Sequence, residues 1–456
     1  MIQTHNPVTG QVLQSYNSLN DQQIEEGLYM AQRAFFDWRR TTWKQKTYCF
    51  RRLSEVLRDK KETLAFLVTQ EMGKPITEAL AEVEKCAFAC EYYAGKPEGW
   101  LGDEILLEQD PKVYVSHQPL GVIFAIMPWN FPLWQVIRFA TPTLLAGNTA
   151  LMKHAPNTWG SAAALAQCFL AAGFPEGVYQ DFPIQVEASA KVIADPRVKG
   201  VSLTGSTRAG RAVAEQAGRH LKRCVLELGG SDPYVVLADA DLKLAAQKSV
   251  QARMINGGQS CIAGKRFIVE DKVHDQFLAE VQELMSGYKM GLPEEENCRL
   301  GPLARRDLRD QLDVQVEKAV NQGARSLLPK AAVPNENGFY YPATLLSEIT
   351  PDSIVFQEEF FGPVACVIRA ANEKEALRLA NATSFGLGAA IFSRDVQRAE
   401  ILARTELEAG LCVVNGMVRS DSRWPFGGVK DSGYGRELTH FGAHEFTNLK
   451  TLIIDG

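Results

Sequence analysis

The chain is 456 residues long, carries a net charge of −5, and is 46% hydrophobic and 23% charged. That length exceeds one ordinary core and calls for two or three domains of an ordinary globular composition. The absence of a basic stretch excludes nucleic acid as a partner, and apolar runs such as Gly121–Met127 are too short to span a bilayer. Met1–Pro7 lacks the charged start and apolar run of a signal peptide. The nine cysteines are scattered without metal-ligand spacing. Reduced thiols in a cytoplasm are expected, with no zinc or iron–sulfur site.

In chain order, residues 20–95 read as helices. Ile24, Leu28, Ala31 and Phe35 recur at helical spacing behind Asn20 or Asp21 as cap, and Gly73-Lys74-Pro75 breaks the run. Cys86 and Cys90 then share a helix face. Residues 112–118 alternate as an exposed strand. A buried strand, Val122–Ile126, ends at Pro128, and another, Thr149–Met152, ends at Lys153. A helix over about 158–172 precedes Val201–Leu203 and the turn at Gly205-Ser206. From about residue 230 the alternation repeats through Tyr234–Leu237, Phe267–Val269, Ala365–Ile368 and Leu411–Val414, with a short terminal strand over 451–454. Strand–helix alternation specifies parallel sheets covered by helices, an α/β class. Ligands bind such sheets beyond the carboxyl ends of the strands, where Asn130, Lys153 and Ser206 all fall.

Several motifs carry chemistry, each beside a plainer reading. Cys261 ends Asn256-Gly257-Gly258-Gln259-Ser260-Cys261. A lone cysteine is more often a small core residue, but this glycine-rich polar loop makes a poor core wall and exposes a thiol. Glu227, before Gly229-Gly230, is either an exposed loop carboxylate or a partly buried base with a raised pKa. Asn130, between Pro128 and Pro132, is either a helix cap or a rigid donor to an oxyanion. Gly205-Ser206 opens a helix whose N-terminus can face a phosphate, or is a structural turn. Glu358-Glu359-Phe360-Phe361 is either a solvated acid pair or a carboxylate for ribose hydroxyls beside an aromatic ring.

Together these motifs resemble the aldehyde dehydrogenase superfamily along essentially the whole chain. The set is Pro128–Pro132, Lys153, Gly205-Ser206, Glu227–Gly230, Gly258–Cys261, Glu359–Pro363 and Pro425–Gly428. The resemblance implies a Rossmann-type NAD(P) domain (1–108 and 120–228), an α/β catalytic domain (229–434) and a small β oligomerisation arm (109–119 and 435–456), assembled as a homodimer or homotetramer. It implies Cys261 as nucleophile, Asn130 with the Cys261 N–H as oxyanion hole, and Glu227 as the base for hydrolytic water. Trp129 and Lys153 would lie against the adenosine ribose, Gly205 and Ser206 near the pyrophosphate, Leu228 against the nicotinamide, and Glu359 with Phe361 at its ribose. Pro156 stands where NAD-specific relatives place a glutamate, so both NAD and NADP are expected.

For the small-molecule substrate, Arg138 and Ser420 match positions in succinate semialdehyde dehydrogenases, most closely the shorter bacterial branch. An arginine fork there suits a distal carboxylate. A second arginine carried by some members is replaced by Ile255, with Arg253 two residues earlier, and a second cysteine by Ala263. The competing readings are a neutral aliphatic or aromatic aldehyde, and a catalytically inactive structural relative.

Overall fold

In the computed structural model, which describes residues 1–329 and 331–455, the apolar periodicity of the first hundred residues becomes four helices. They are Asp21–Trp38, Trp43–Asp59, Lys61–Met72 and Ile76–Ala94. Asn20 opens the first with a reciprocal cap: its side chain accepts from the Gln23 N–H, and the Gln23 side chain accepts from the Asn20 N–H. Gly73 closes the third in the left-handed region at φ 74°, where a Cβ would come within 2.7 Å of the Pro302 carbonyl oxygen. Cys86 and Cys90 are buried on one face of the fourth helix.

The first parallel sheet has six strands in the order Gly433–Tyr434, Arg223–Glu227, Val198–Thr204, Val122–Ile126, Thr149–Lys153 and Tyr179–Asp181. All neighbours are parallel except the first pair. The chain starts at the central strand Val122–Ile126, builds outward to one side, then returns to build the other. The topological switch therefore lies between Val122–Ile126 and Val198–Thr204, and a crevice opens beyond their carboxyl ends. The segments leaving those two strands are Pro128-Trp129-Asn130 and Gly205-Ser206.

The second sheet has seven strands: Arg325–Ser326, Thr344–Ser347, Val364–Ala370, Gly264–Glu270, Asp232–Val236, Gly388–Phe392 and Leu411–Val414. Its central strands are buried on both faces, which is why they read as unbroken apolar runs. A third, antiparallel sheet places Lys112–Pro119 between Thr447–Ile454 and Glu104–Leu107.

The domain limits drawn from sequence need correction at three points. Glu104–Leu107 belongs to the arm, so the limit at 108 cuts off the arm's first strand. Gly433–Tyr434 pairs with Arg223–Glu227, so the chain has already recrossed to the first sheet before 434. Between them and the arm, the helix Thr439–Glu445 packs on the helix Trp134–Leu145, and Phe446 meets Phe139 edge-on with ring centroids 6.0 Å apart. Residues 435–446 therefore close the first domain, and the arm proper resumes at Thr447.

Candidate active site

The loop that carries Cys261 is held by backbone conformations few side chains tolerate. Asn256, Gly257 and Gly258 are successive left-handed residues with φ of 55°, 60° and 75°. At Gly258 a Cβ would lie 2.1 Å from the Gly362 carbonyl oxygen, so only glycine lets the two backbones meet. Arg253, wholly buried, donates to the carbonyls of both Gly258 and Gly362 and ties the loop to that turn. Lys265, also buried, donates to the Ser260 and Cys261 carbonyls at 3.0 and 2.7 Å and pairs with Glu359 at 3.0 Å. Neither clamp is visible in a motif, because each acts on backbone carbonyls, which carry no side-chain signature, and one of them, Gly362, is remote in sequence.

Two cavities meet at Cys261. The larger, of about 580 Å³, lies over the switch point of the first sheet and is lined by Trp129, Asn130, Gly205, Ser206, Leu228, Glu359 and Phe361, among others. The smaller, of about 80 Å³, is lined by Lys85, Trp134, Arg138, Ile255, Ser420 and Phe426, among others. Cys261 and Gln135 are the residues common to both walls. The thiol thus stands at a junction between a wide cleft and a narrow tunnel.

Asn130 is buried, and its Nδ2 donates to the Gln259 carbonyl at 3.0 Å. An amide nitrogen carries two protons, so one remains for an oxygen bound beside Cys261. Asn256 fixes the same corner, donating to the Asn130 and Gln259 carbonyls at 2.8 and 3.1 Å.

Burial pushes the Cys261 thiol up to about 12, with the cations of Arg138 and Lys265 pulling the other way. Glu227 lies at the end of its strand, and neither carboxylate oxygen has a hydrogen-bond partner among the described residues. Burial raises its pKa well above the ordinary carboxylate range; Arg138 opposes this, and Glu437 adds to it. The carboxylate is thus fully buried, beyond both the exposed loop group and the partly buried base read from the sequence, and burial favours the protonated form of Glu227 and of Cys261 alike.

Arg138 is where the structure departs furthest from expectation. It is buried, neither a surface arginine nor a free fork. Its Nε pairs with Glu437, a terminal nitrogen donates to Thr204 Oγ1 at 3.3 Å, and its guanidinium carbon lies 4.6 Å from the Phe426 ring centre. It touches the tunnel wall, but Glu437 occupies the anion-binding edge that a substrate carboxylate was expected to take. Ile255 also lines the tunnel, and Arg253 points to backbone carbonyls instead. Ser420 is buried on the tunnel wall, with its oxygen accepting from the Trp134 indole N–H at 3.2 Å. Its own hydroxyl proton is left to donate.

A model of the aldehyde dehydrogenase family matches residues 1–452. Succinate semialdehyde dehydrogenase Sad of Escherichia coli, which uses NAD(P)+, is 46% identical over 99% of this chain and 97% of its own length. A probable NADP+-dependent succinate-semialdehyde dehydrogenase of Synechocystis is 43% identical over 99% of each chain. In three dimensions, the succinic semialdehyde dehydrogenase of Streptococcus pyogenes solved with NADP+ superposes with a TM-score of 0.97, at 34% identity and 100% coverage of both chains. The chain belongs to the aldehyde dehydrogenase family.

The cofactor that the family implies fits the wide cleft of this aldehyde dehydrogenase. Gly205 follows its strand, and a Cβ there would meet no protein atom closer than 3.8 Å. The protein's own packing therefore does not require glycine at that point; close approach of a ligand does. Ser206 caps the next helix, Thr207–Arg219, accepting from the Ala209 N–H at 3.3 Å, and the first turn of that helix lines the cleft. A helix N-terminus at that wall favours an anion. The Gly205 N–H is itself spent on the Glu227 carbonyl at 2.9 Å. Trp129 and Phe361 meet edge-on, with centroids 5.7 Å apart, on the cleft wall.

Lys153 and Pro156 stand off this wall. Lys153 ends its strand, buried, and Pro156, itself exposed, opens a single turn, Pro156–Thr158, that ends buried at Thr158. Burial lowers the Lys153 pKa, and the carboxylate of Glu187 opposes that shift. An acid thus does act near this corner, although none stands at Pro156 itself.

Proposed function

We propose that this aldehyde dehydrogenase oxidises succinate semialdehyde to succinate with NAD+ or NADP+. The observation that carries the reading is the position of Cys261 between two cavities, a cleft shaped for a dinucleotide and a narrow tunnel with basic groups on its wall. The high identity and full coverage of the succinate semialdehyde dehydrogenases support the substrate. Nine free cysteines suit a reducing cytoplasm, and no helix among the described residues is long and apolar enough to cross a membrane. The exposed apolar arm supports a homo-oligomer.

The residues divide the reaction among themselves. Cys261 must lose its proton, and the fields of Arg138 and Lys265 favour that loss. The sulfur adds to the aldehyde carbon, and the carbonyl oxygen becomes an alkoxide. The free Asn130 amide proton and the Cys261 N–H face that oxygen, each such donor being worth on the order of 3 kcal/mol. A nicotinamide held by the cleft residues would supply the two-electron oxidant for the hydride that the tetrahedral carbon gives up. Cys261 is left as a thioester. Glu227, once ionised, takes a proton from the water that attacks it, and the acid leaves with the sulfur restored as thiol.

An aldehyde panel followed by reduced-nicotinamide absorbance tests this. Succinate semialdehyde is expected to give a kcat/KM about tenfold or more above butanal, its four-carbon neutral counterpart, with activity on both cofactors. Equal turnover of the two aldehydes would overturn the substrate, and loss of no activity in Cys261→Ala would overturn the chemistry.

A further inference from the structure

The tunnel holds a cation whose role is not explained by the folded chain. Lys85 lies on the helix Ile76–Ala94, one turn after Glu82. Glu82 is fully engaged: it pairs with the buried Lys74 and accepts from the Leu133 and Trp134 N–H groups at 2.9 and 3.0 Å. That cap fixes the start of the helix Trp134–Leu145. Lys85, by contrast, has no carboxylate within ion-pairing distance and no hydrogen-bond acceptor among the described residues. Its ammonium sits 4.0 Å from the centre of the Trp134 ring, on the wall of the cavity that ends at Cys261.

A part-buried ammonium held on an aromatic face is stabilised by the ring quadrupole, but that contact supplies no counter-charge. The nearest acids are occupied elsewhere. Asp421 accepts from Arg423 at 2.7 and 2.6 Å, and Glu82 is used as described. Burial holds the Lys85 pKa down to about 8, with Arg138 adding repulsion and Cys86, Glu82 and Asp421 opposing. The group is charged at neutral pH and lacks an anion. Arg138, the cation assigned to a substrate carboxylate from sequence, has the opposite status, since its Nε already pairs with Glu437.

Trp134 joins the pieces. Its ring face carries Lys85, and its indole N–H orients Ser420 so that the Ser420 hydroxyl proton is free. One ammonium and one hydroxyl therefore meet on Trp134, from two elements, in the wall of a cavity that Cys261 also lines. We propose that Lys85 binds the distal carboxylate of an ω-carboxy aldehyde, with Ser420 as the second donor and Trp134 positioning both. The assignment rests on the succinate semialdehyde reading. Arg138 then acts as a positioning residue, holding Glu437 and biasing the field at Glu227 and Cys261.

Steady-state kinetics on the intact enzyme with succinate semialdehyde and butanal separate the possibilities. Lys85→Met keeps the bulk and apolar stem of lysine and removes the charge. It is expected to raise KM for succinate semialdehyde about tenfold or more while kcat changes less than about threefold. KM for butanal should stay level or fall. Lys85→Arg should restore most of the affinity, which a merely structural lysine would not require. If the wild type prefers succinate semialdehyde and Lys85→Met keeps that preference, the Lys85 assignment is wrong and the substrate reading stands. If the wild type does not discriminate between the aldehydes, the substrate reading fails and this inference with it. Equal losses on both aldehydes in Lys85→Met and in a second variant, Lys85→Gln, would make the lysine structural and overturn the proposal.

Discussion

At the scale of single residues, burial favours the protonated forms of both Cys261 and Glu227, and this governs the pH dependence expected of them. Cys261 is pushed up to about 12, and Glu227 is raised well above the ordinary carboxylate range, both by burial. Each must lose a proton before it acts, so the active forms grow as pH rises. We expect kcat to rise with pH on the alkaline side of neutrality, and a profile that stays flat there would contradict the assignment. Glu227→Gln keeps the shape and removes the ionisation. Deacylation should slow by about 10²- to 10⁴-fold, while the first turnover still releases reduced nicotinamide as a burst, because hydride leaves before water attacks. A stopped-flow trace without that burst would place Glu227 in the first half-reaction instead. The buried charges around Glu227 also restrict what can be changed safely. Removing Arg138 would leave Glu437 without its partner in the same pocket, a loss typically of about 3–5 kcal/mol for a buried pair. An Arg138 variant therefore confounds stability with specificity, and Lys85 is the cleaner probe of the tunnel.

At the scale of elements, the nucleophile loop depends on a backbone-to-backbone contact. Gly258→Ala adds a Cβ 2.1 Å from the Gly362 carbonyl oxygen at φ 75°. Gly173 offers a control, since it has φ 86° but open space around its absent Cβ. Gly173→Ala should cost only the left-handed penalty, about 1 kcal/mol, seen as a small drop in Tm. Gly258→Ala should cost clearly more and should abolish most activity, because Cys261 and the Arg253 clamp move with the loop. Comparable Tm values and retained activity in both variants would show that the contact relaxes cheaply. The odd composition of this loop was legible in the sequence, but its reason was not, because Gly362 lies on a distant turn. The same limit explains Arg138 and Lys85. The partner of Arg138 arrives from the C-terminal segment, which no spacing reveals, and a lysine on an amphipathic helix reads as solvated. Buried parallel strands such as Val122–Ile126 and Gly264–Glu270 were legible because both faces are apolar. The strands Ile2–His5 and Glu104–Leu107 are four residues each and largely exposed or mixed, too short to show a period.

At the scale of the whole molecule, the segment from Gly433 to Ile454 joins the candidate active site to the arm. From Gly433–Tyr434 at the edge of the first sheet, the chain places Glu437 against Arg138, packs Phe446 on Phe139, and runs out along Lys112–Pro119 as Thr447–Ile454. The arm it completes presents several apolar side chains to solvent. Leu449 and Ile453 are 59% and 63% exposed, and Ile105 and Leu107 are 53% and 54% exposed. Leu449 and Ile453 are four residues apart on one strand, opposite His117 and Val113, and so share a face of the sheet. Glu104–Leu107 leaves a free outer edge. A monomer rarely leaves such a surface bare, since both apolar area and unpaired strand edges promote association. We expect a second copy of this chain to cover the arm through a self-complementary two-fold contact. Leu449→Asp combined with Ile453→Asp places two charges on that face without touching Glu437 or Cys261. Light scattering after size exclusion should show the wild type at a multiple of the 50.4 kDa chain mass and the double variant shifted to a smaller species. A monomeric wild type, or an unchanged mass in a folded double variant, would remove the arm from assembly.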